Sequence, residues 1–91
     1  MPKRNKLEII RDILQIINES HSIKPTPLLR RSNISSSRFK TYFLDLLEKG
    51  FIKEVRGNGS ERQIFITEKG QRFLVKFRTI VDFIDEFELW G

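Results

Sequence analysis

With 91 residues, 38% of them apolar, the chain has material for one domain with a modest core. Its 17 Lys and Arg outnumber 12 Asp and Glu, giving a net charge of +5 and a pI near 9.9, a balance that makes nucleic acid the first partner to consider. Cysteine is absent, which excludes a disulfide framework, a thiolate zinc site and a cysteine nucleophile, and no apolar run approaches the roughly 18 residues that span a membrane.

In chain order, Met1 to Asn5 forms a short basic arm. No signal-peptide core follows Met1-Pro2-Lys3-Arg4, so an intracellular, cytoplasmic and nucleoid-associated protein is expected. A first helix is predicted over Lys6–Glu19, where Leu7, Ile10, Leu14 and Ile17 recur at spacings of three and four and Ile9, Ile13 and Ile16 widen the stripe. Ser20-His21-Ser22 ends it, and Pro25 biases Lys24 to extended geometry. Thr26-Pro27 reads as the next helix start, with Thr26 as N-cap and Pro27 as first helical residue. Leu28–Arg31 continues it for barely two turns, and Ser32-Asn33-Ile34 makes a tight turn.

Ser35 or Ser36 caps a third helix that runs to Lys49 and stops at Gly50, with Phe39, Tyr42 or Phe43, Leu46 and Leu47 facing inward. Phe51–Arg56 and Arg62–Ile66 form a hairpin around the polar loop Gly57–Glu61, with Ile52, Val55, Ile64 and Ile66 expected to face the core. Thr67 caps a last helix reaching about Leu89. The fold class is therefore mainly α with a small β-hairpin, in the order α-α-α-β-β-α. A short helix, a tight turn and a longer helix make a helix-turn-helix, and the hairpin adds a wing. Residues 1–66 form this winged module and 67–91 a C-terminal dimerisation helix, in one compact domain overall.

A recognition helix needs small polar and basic residues near its N-terminus, because bulky groups there hold the backbone away from base edges. Ser36, Ser37, Arg38, Lys40 and Thr41 fit, with Arg38 able to reach guanine and the serines and Lys40 suited to phosphates. The plainer reading is that the serines cap and the charges solvate. The wing offers Lys53, Arg56, Arg62 and a tip at Asn58-Gly59-Ser60, although Glu61 beside Arg62 halves the local charge. Arg30 and Arg31 close the second helix, where they complement its dipole and can also lie near the phosphate backbone.

His21 is the sole histidine and makes a poor metal site. Asp82, Asp85 and Glu86 read as solvating charge with no base or nucleophile placed to cooperate. Gly57-Asn58-Gly59 sits between strands and suits a turn rather than a phosphate loop. No enzyme, metal or cofactor is expected.

In the last helix Phe73, Phe77, Ile80, Ile84 and Phe87 step by four, three, four and three, the period of a coiled-coil seam, flanked by Leu74, Val81 and Trp90. Phe73 and Leu74 can serve the chain's own core. Phe77, Ile80, Val81, Ile84, Phe87 and Trp90 are the candidate homodimer interface, since an exposed patch of that kind is unusual on a monomer. Charge is segregated too: 13 Lys and Arg against 7 Asp and Glu lie before Thr67, and only acids (Asp82, Asp85, Glu86, Glu88) lie beyond Thr79.

The runs Lys6–Ile10 and Tyr42–Ile52, and above all Ile66-Thr67-Glu68-Lys69-Gly70 with Phe73-Leu74, resemble the small archaeal winged-helix DNA-binding proteins with a C-terminal coiled-coil dimerisation helix. These are chromatin-associated or transcription-regulator-like, with similar domains in archaeal viruses. The resemblance implies a homodimer joined through the C-terminal helices that binds double-stranded DNA with the third helix and wing. The last helix, ending at Trp90-Gly91, is short for that family, which leaves dimer geometry and half-site spacing open. The expected function is sequence-preferring duplex binding by a dimeric transcriptional regulator. The alternatives are an abundant chromatin-type protein and a protein-interaction module in a larger complex. An RNA reader would need exposed aromatics on a sheet face, where the hairpin offers little beyond Phe65. A small-molecule effector is left open.

Overall fold

The computed structural model describes residues 5–59 and 61–87. The basic arm's Lys3 and Arg4, the wing-tip Ser60, the seam residue Trp90 and the expected helix end at Leu89 lie outside the described residues. Helix α1 (Lys6–Ser20) starts in a capping box: Asn5 Oδ1 accepts the Glu8 N–H at 2.8 Å while Glu8 Oε1 accepts the Asn5 N–H at 3.1 Å. Ile9, Ile10, Ile13, Leu14 and Ile17 form its buried stripe and the centre of the core.

Helix α2 spans Pro25–Ser32 and begins before the expected Thr26 cap. Lys24, extended ahead of a proline, is itself the N-cap and makes no side-chain cap bond. Pro25 and Pro27 both fall in the first turn, where a missing N–H breaks no helical hydrogen bond. Asn33 closes the helix at φ 57°, a left-handed position that asparagine tolerates better than most residues.

Helix α3 (Ser36–Glu48) is capped by Ser35, whose Oγ accepts the Arg38 N–H at 3.3 Å. Phe39, Phe43 and Leu46 are buried, and Tyr42 and Leu47 pack at the margin. Its end is a two-bond stop: the Gly50 N–H reaches the Leu47 carbonyl at 3.1 Å and the Phe51 N–H the Leu46 carbonyl at 3.0 Å. Gly50 supplies the left-handed residue this stop needs, at φ 78°.

Strands β1 (Ile52–Arg56) and β2 (Arg62–Ile66) pair antiparallel, with Ile52 opposite Ile66 and Glu54 opposite Ile64. This register corrects the expected inward Val55. Alternate residues Ile52, Glu54 and Arg56 share one face, so Val55 turns to the other with Lys53 and is 47% exposed. Ile52 and Ile64 are buried and Ile66 packs against the core. Ile23, ahead of α2, exchanges two backbone hydrogen bonds with Ile64 and seals the outer edge of β2.

Helix α4 spans Glu68–Glu86 behind the N-cap Thr67, whose Oγ1 accepts the Gly70 N–H at 3.2 Å. It runs antiparallel to α1: Asn18 shares a groove with Gln71 and Leu74, Arg11 sits over Phe77, and Leu7 shares a cleft with Ile80. Phe73 and Leu74 complete the core. The overall extents of 51 × 27 × 21 Å describe an elongated molecule.

Gly70 is buried where α4 meets the start of β1. A Cβ there would collide with the Phe51 carbonyl oxygen and the Ile66 side chain. Alanine in place of a helical glycine ordinarily stabilises by about 1 kcal/mol. Here overpacking of about 1–3 kcal/mol should reverse the sign. At the middle of that range, a net cost of about 1 kcal/mol, Gly70→Ala is expected to lower the thermal midpoint by roughly 4–8 °C. A melt that is unchanged or raised would contradict this close approach.

Candidate nucleic-acid interface

Successive residues of an α-helix turn by about 100°, so the buried positions of α3 fix its outward face. Opposite Phe39, Phe43 and Leu46 stand Ser37, Thr41, Leu44 and Glu48, with Arg38 and Asp45 on one flank and Lys40 on the other. Ser36, Ser37, Arg38, Lys40 and Thr41 are all exposed. The Ser37 and Ser35 hydroxyls lie 3.4 Å apart, and Thr41 Oγ1 donates to the Ser37 carbonyl at 3.2 Å. These short side chains stay close to the helix surface, so another molecule can approach its backbone. Lys6, at the start of α1, borders the same open groove as Arg38, Thr41, Tyr42 and Leu44. Asp45 is engaged by Lys49 at 2.9 Å, which offsets one acid on this helix.

The wing's cations have separate duties. Arg62 makes a two-pronged pair with Glu54, Nε to Oε1 at 2.9 Å and Nη2 to Oε2 at 2.6 Å, bracing the two strands against each other. Arg56 stands at 3.8 Å from the same carboxylate with its side chain 75% exposed. Asn58 is exposed beside Gly59 at the tip, where the Gly57 N–H donates to the Glu61 carbonyl at 3.0 Å. Lys53 lies over the Phe65 ring on the other face. The acid that compensates Arg62 is thus Glu54, its cross-strand diagonal neighbour, rather than the adjacent Glu61.

Arg30 is exposed near the end of α2. Arg31 instead ties α2 to α1, donating to Ser20 Oγ at 3.0 Å with Glu19 at 3.8 Å. The structure therefore brings together Ser36, Ser37, Arg38, Lys40 and Thr41 on α3, and gives Arg31 and Arg62 partners within the fold. Among the described residues no cluster of His, Asp or Glu is arranged to hold a metal ion, and no helix is long and apolar enough to cross a membrane.

On α4 the seam divides. Phe77, under the Arg11 guanidinium at 5.2 Å, is half-buried together with Val81 and Ile84. Ile80, Phe83 and Phe87 form an exposed stripe, at 60%, 56% and 55%. Phe83, its ring 4.7 Å from that of Phe87, is absent from the seam read in the sequence. Its spacing of three from Ile80 and four from Phe87 is the signal that identifies it. Leu44 also escapes the sequence reading, although it is out of phase with the inward stripe of α3.

The sequence matches the winged helix-turn-helix family over residues 3–85. The chain belongs to that family. No curated protein matches it. Among solved structures, Sso10a-2, a DNA-binding protein from Sulfolobus solfataricus, is similar to this winged helix-turn-helix chain with a TM-score of 0.76 at 21% identity, over 93% of this chain and 86% of that one. F-93 of SSV1 gives 0.68 at 22% identity over 96% and 97%. NadR, solved with 4-hydroxyphenylacetate, gives 0.70 at 13% identity over 96% and 63%. At these identities the likeness is one of fold.

The Arg62 hydrogen bonds hold the Glu54 carboxyl below its ordinary value, partial desolvation opposes this, and the Arg62 and Arg56 charges add to the lowering. The pair's contribution to stability is accordingly complete above the unfolded carboxyl value of about 4.3 and is lost as pH falls through the lower folded value. Urea unfolding from pH 6 down to about pH 3 should show a steeper loss for the wild type than for Glu54→Gln. Parallel curves would remove this pair as a brace of the wing.

Proposed function

We propose that this winged helix-turn-helix chain binds double-stranded DNA as a dimer, with sequence preference and without catalysis, as a transcriptional regulator. The observation that carries the reading is the outward face of α3: short hydroxyl side chains flanked by Arg38 and Lys40, at a capped helix N-terminus. Partial positive charge at that terminus favours phosphate, and the short side chains admit base edges. In this reading α3 enters the major groove and the wing, through Arg56 and Asn58, follows the backbone or minor groove. Arg30 and Lys6 add cations on either side. The fold shared with Sso10a-2, described as a DNA-binding protein, supports the assignment.

Dimerisation is supported by the stripe Ile80, Phe83 and Phe87, an apolar row left without cover in one chain. The half-buried Phe77, Val81 and Ile84 border it. Lys69, Arg72, Lys76 and Arg78 follow Glu68 in the first part of α4, whereas Asp82, Asp85 and Glu86 lie beside the stripe in the last.

Two measurements test these readings. Replacing Arg38 and Lys40 together with alanine should weaken binding to a duplex at least ten-fold and reduce the slope of log affinity against log salt by about 1–2, the share of one or two phosphate contacts. Unchanged affinity and slope would move the interface off α3. A wild-type chain that ignores duplex DNA altogether would favour the protein-interaction module, and equal affinity for all sequences the chromatin-type role. Independently, Ile80→Asp places a charge on the exposed stripe without entering the core. Light scattering should then report monomers at concentrations where the wild type reports dimers, and persistent dimers would exclude this face as the interface.

A further inference from the structure

Outside α4, the exposed large apolar side chains among the described residues are Leu7, Leu44 and Val55. Leu44 is 52% exposed, and it stands on the outward face of α3, between Thr41 and Glu48 along the helix. The core does not use it, since the inward stripe of α3 is Phe39, Phe43 and Leu46. Ser37, Thr41 and Leu44 follow one another at steps of four and three, forming one line along the helix. At 1.5 Å per residue this line is roughly 10 Å long, close to the rise of about three base pairs.

Of the groups that base pairs present in the major groove, the C5 methyl of thymine is the one sizeable apolar group, the rest being hydrogen-bond donors, acceptors or bare C–H edges. A leucine set against a donor or acceptor strips it of water and gives nothing back, whereas against a methyl it buries apolar surface on both sides. Resting on the duplex-binding reading above, we infer that Leu44 is a specificity-determining residue that recognises a thymine methyl group. The hydroxyls of Ser37 and Thr41, nearer the N-terminus of the same line, contact polar atoms of the neighbouring nucleotides. The bound site therefore contains a thymine opposite the second half of α3.

Deoxyuridine differs from thymidine only by that methyl, so it isolates the contact. Binding of the wild-type chain is first measured with random-sequence duplex, and preferred sites are then selected from the pool. Each thymine of the preferred site is next replaced singly by deoxyuridine. At one position the wild type should lose roughly four-fold in affinity, the worth of one buried methyl. Leu44→Ala should be insensitive to the replacement at that position, and Leu44→Met, which keeps an apolar side chain, should retain most of the sensitivity. Leu44 is half-exposed, so both variants should melt with the wild type. Wild-type affinity that is indifferent to every deoxyuridine replacement overturns the inference, as does a loss that persists in Leu44→Ala. Duplex binding with no preferred site overturns it too while leaving duplex binding intact. Absence of duplex binding in the first step overturns both.

Discussion

The contact on which this architecture depends is the joint between the end of α3 and the start of α4. A helix leaves its last carbonyls without intrahelical partners. The glycine stop satisfies those of Leu46 and Leu47, and the carbonyls of Lys49 and Gly50 are taken by side chains from the first turn of α4 and its cap. Lys69 Nζ donates to the Lys49 carbonyl at 2.7 Å and Thr67 Oγ1 to the Gly50 carbonyl at 2.6 Å. The same Thr67 oxygen accepts the Gly70 N–H, so one hydroxyl ends one helix and begins another. A lysine at a helix C-terminus also meets the negative end of its dipole, and here its ammonium lies over the Phe51 ring, 4.8 Å from Nζ to the centroid. Gly70 lets the first turn of α4 close on Phe51 without a side chain between them. Thr67, Lys69 and Gly70 thus act as one device, which gives the Thr-Glu-Lys-Gly step a physical reason.

The joint makes α3 asymmetric. Its C-terminal end is held by the glycine stop, by Thr67 and Lys69, and by Phe51 edge-on to Phe73. Its N-terminal end carries the Ser35 cap and the exposed Ser36, Ser37 and Arg38, with Phe39 as its first buried residue. The wing is braced independently by Glu54 and Arg62, which keeps a two-stranded hairpin, marginal by itself, in one shape. Arg56 shares that carboxylate at longer range and keeps its exposure. The outward face of α3 thus has fixed supports behind it and exposed side chains in front.

Features encoded locally were legible in the sequence. Ser35, Gly50 and Thr67 announce their caps because a cap needs only the residues beside it. The stripes of α1 and α3 follow from their own spacing. Features that depend on a partner elsewhere were less so. Val55 looks like a core residue by composition, and only the pairing of Ile52 with Ile66 shows that Glu54, not Val55, shares the inner face with Ile64. Arg62 reads as a free cation until the hairpin sets it diagonally from Glu54. The start of α2 was misjudged because Thr26 is the better cap by residue type, while Pro25 already fixes a helical φ one residue earlier. Leu44 and Phe83 went unremarked because an apolar residue off the main stripe gives no periodic signal. Their meaning appears only once exposure is known.

These supports bear on how two reading helices would be spaced. Phe73 and Leu74 of α4 lie in the same core as α1, and Thr67 and Lys69 grip the end of α3. The helix that offers the apolar stripe is therefore the same one that fixes the end of α3, and no flexible linker separates the stripe from that joint. If two chains join through Ile80, Phe83 and Phe87, the distance between their α3 helices is set by rigid packing rather than by a tether of adjustable reach. Such a pair would tolerate little variation in half-site separation, because each base pair added between half-sites turns the second one around the duplex as well as moving it away. In such a pair the fixed separation would originate in the residues that end α3 and start α4, with Thr67 lying 20 residues before Phe87, the outermost exposed apolar side chain of the stripe.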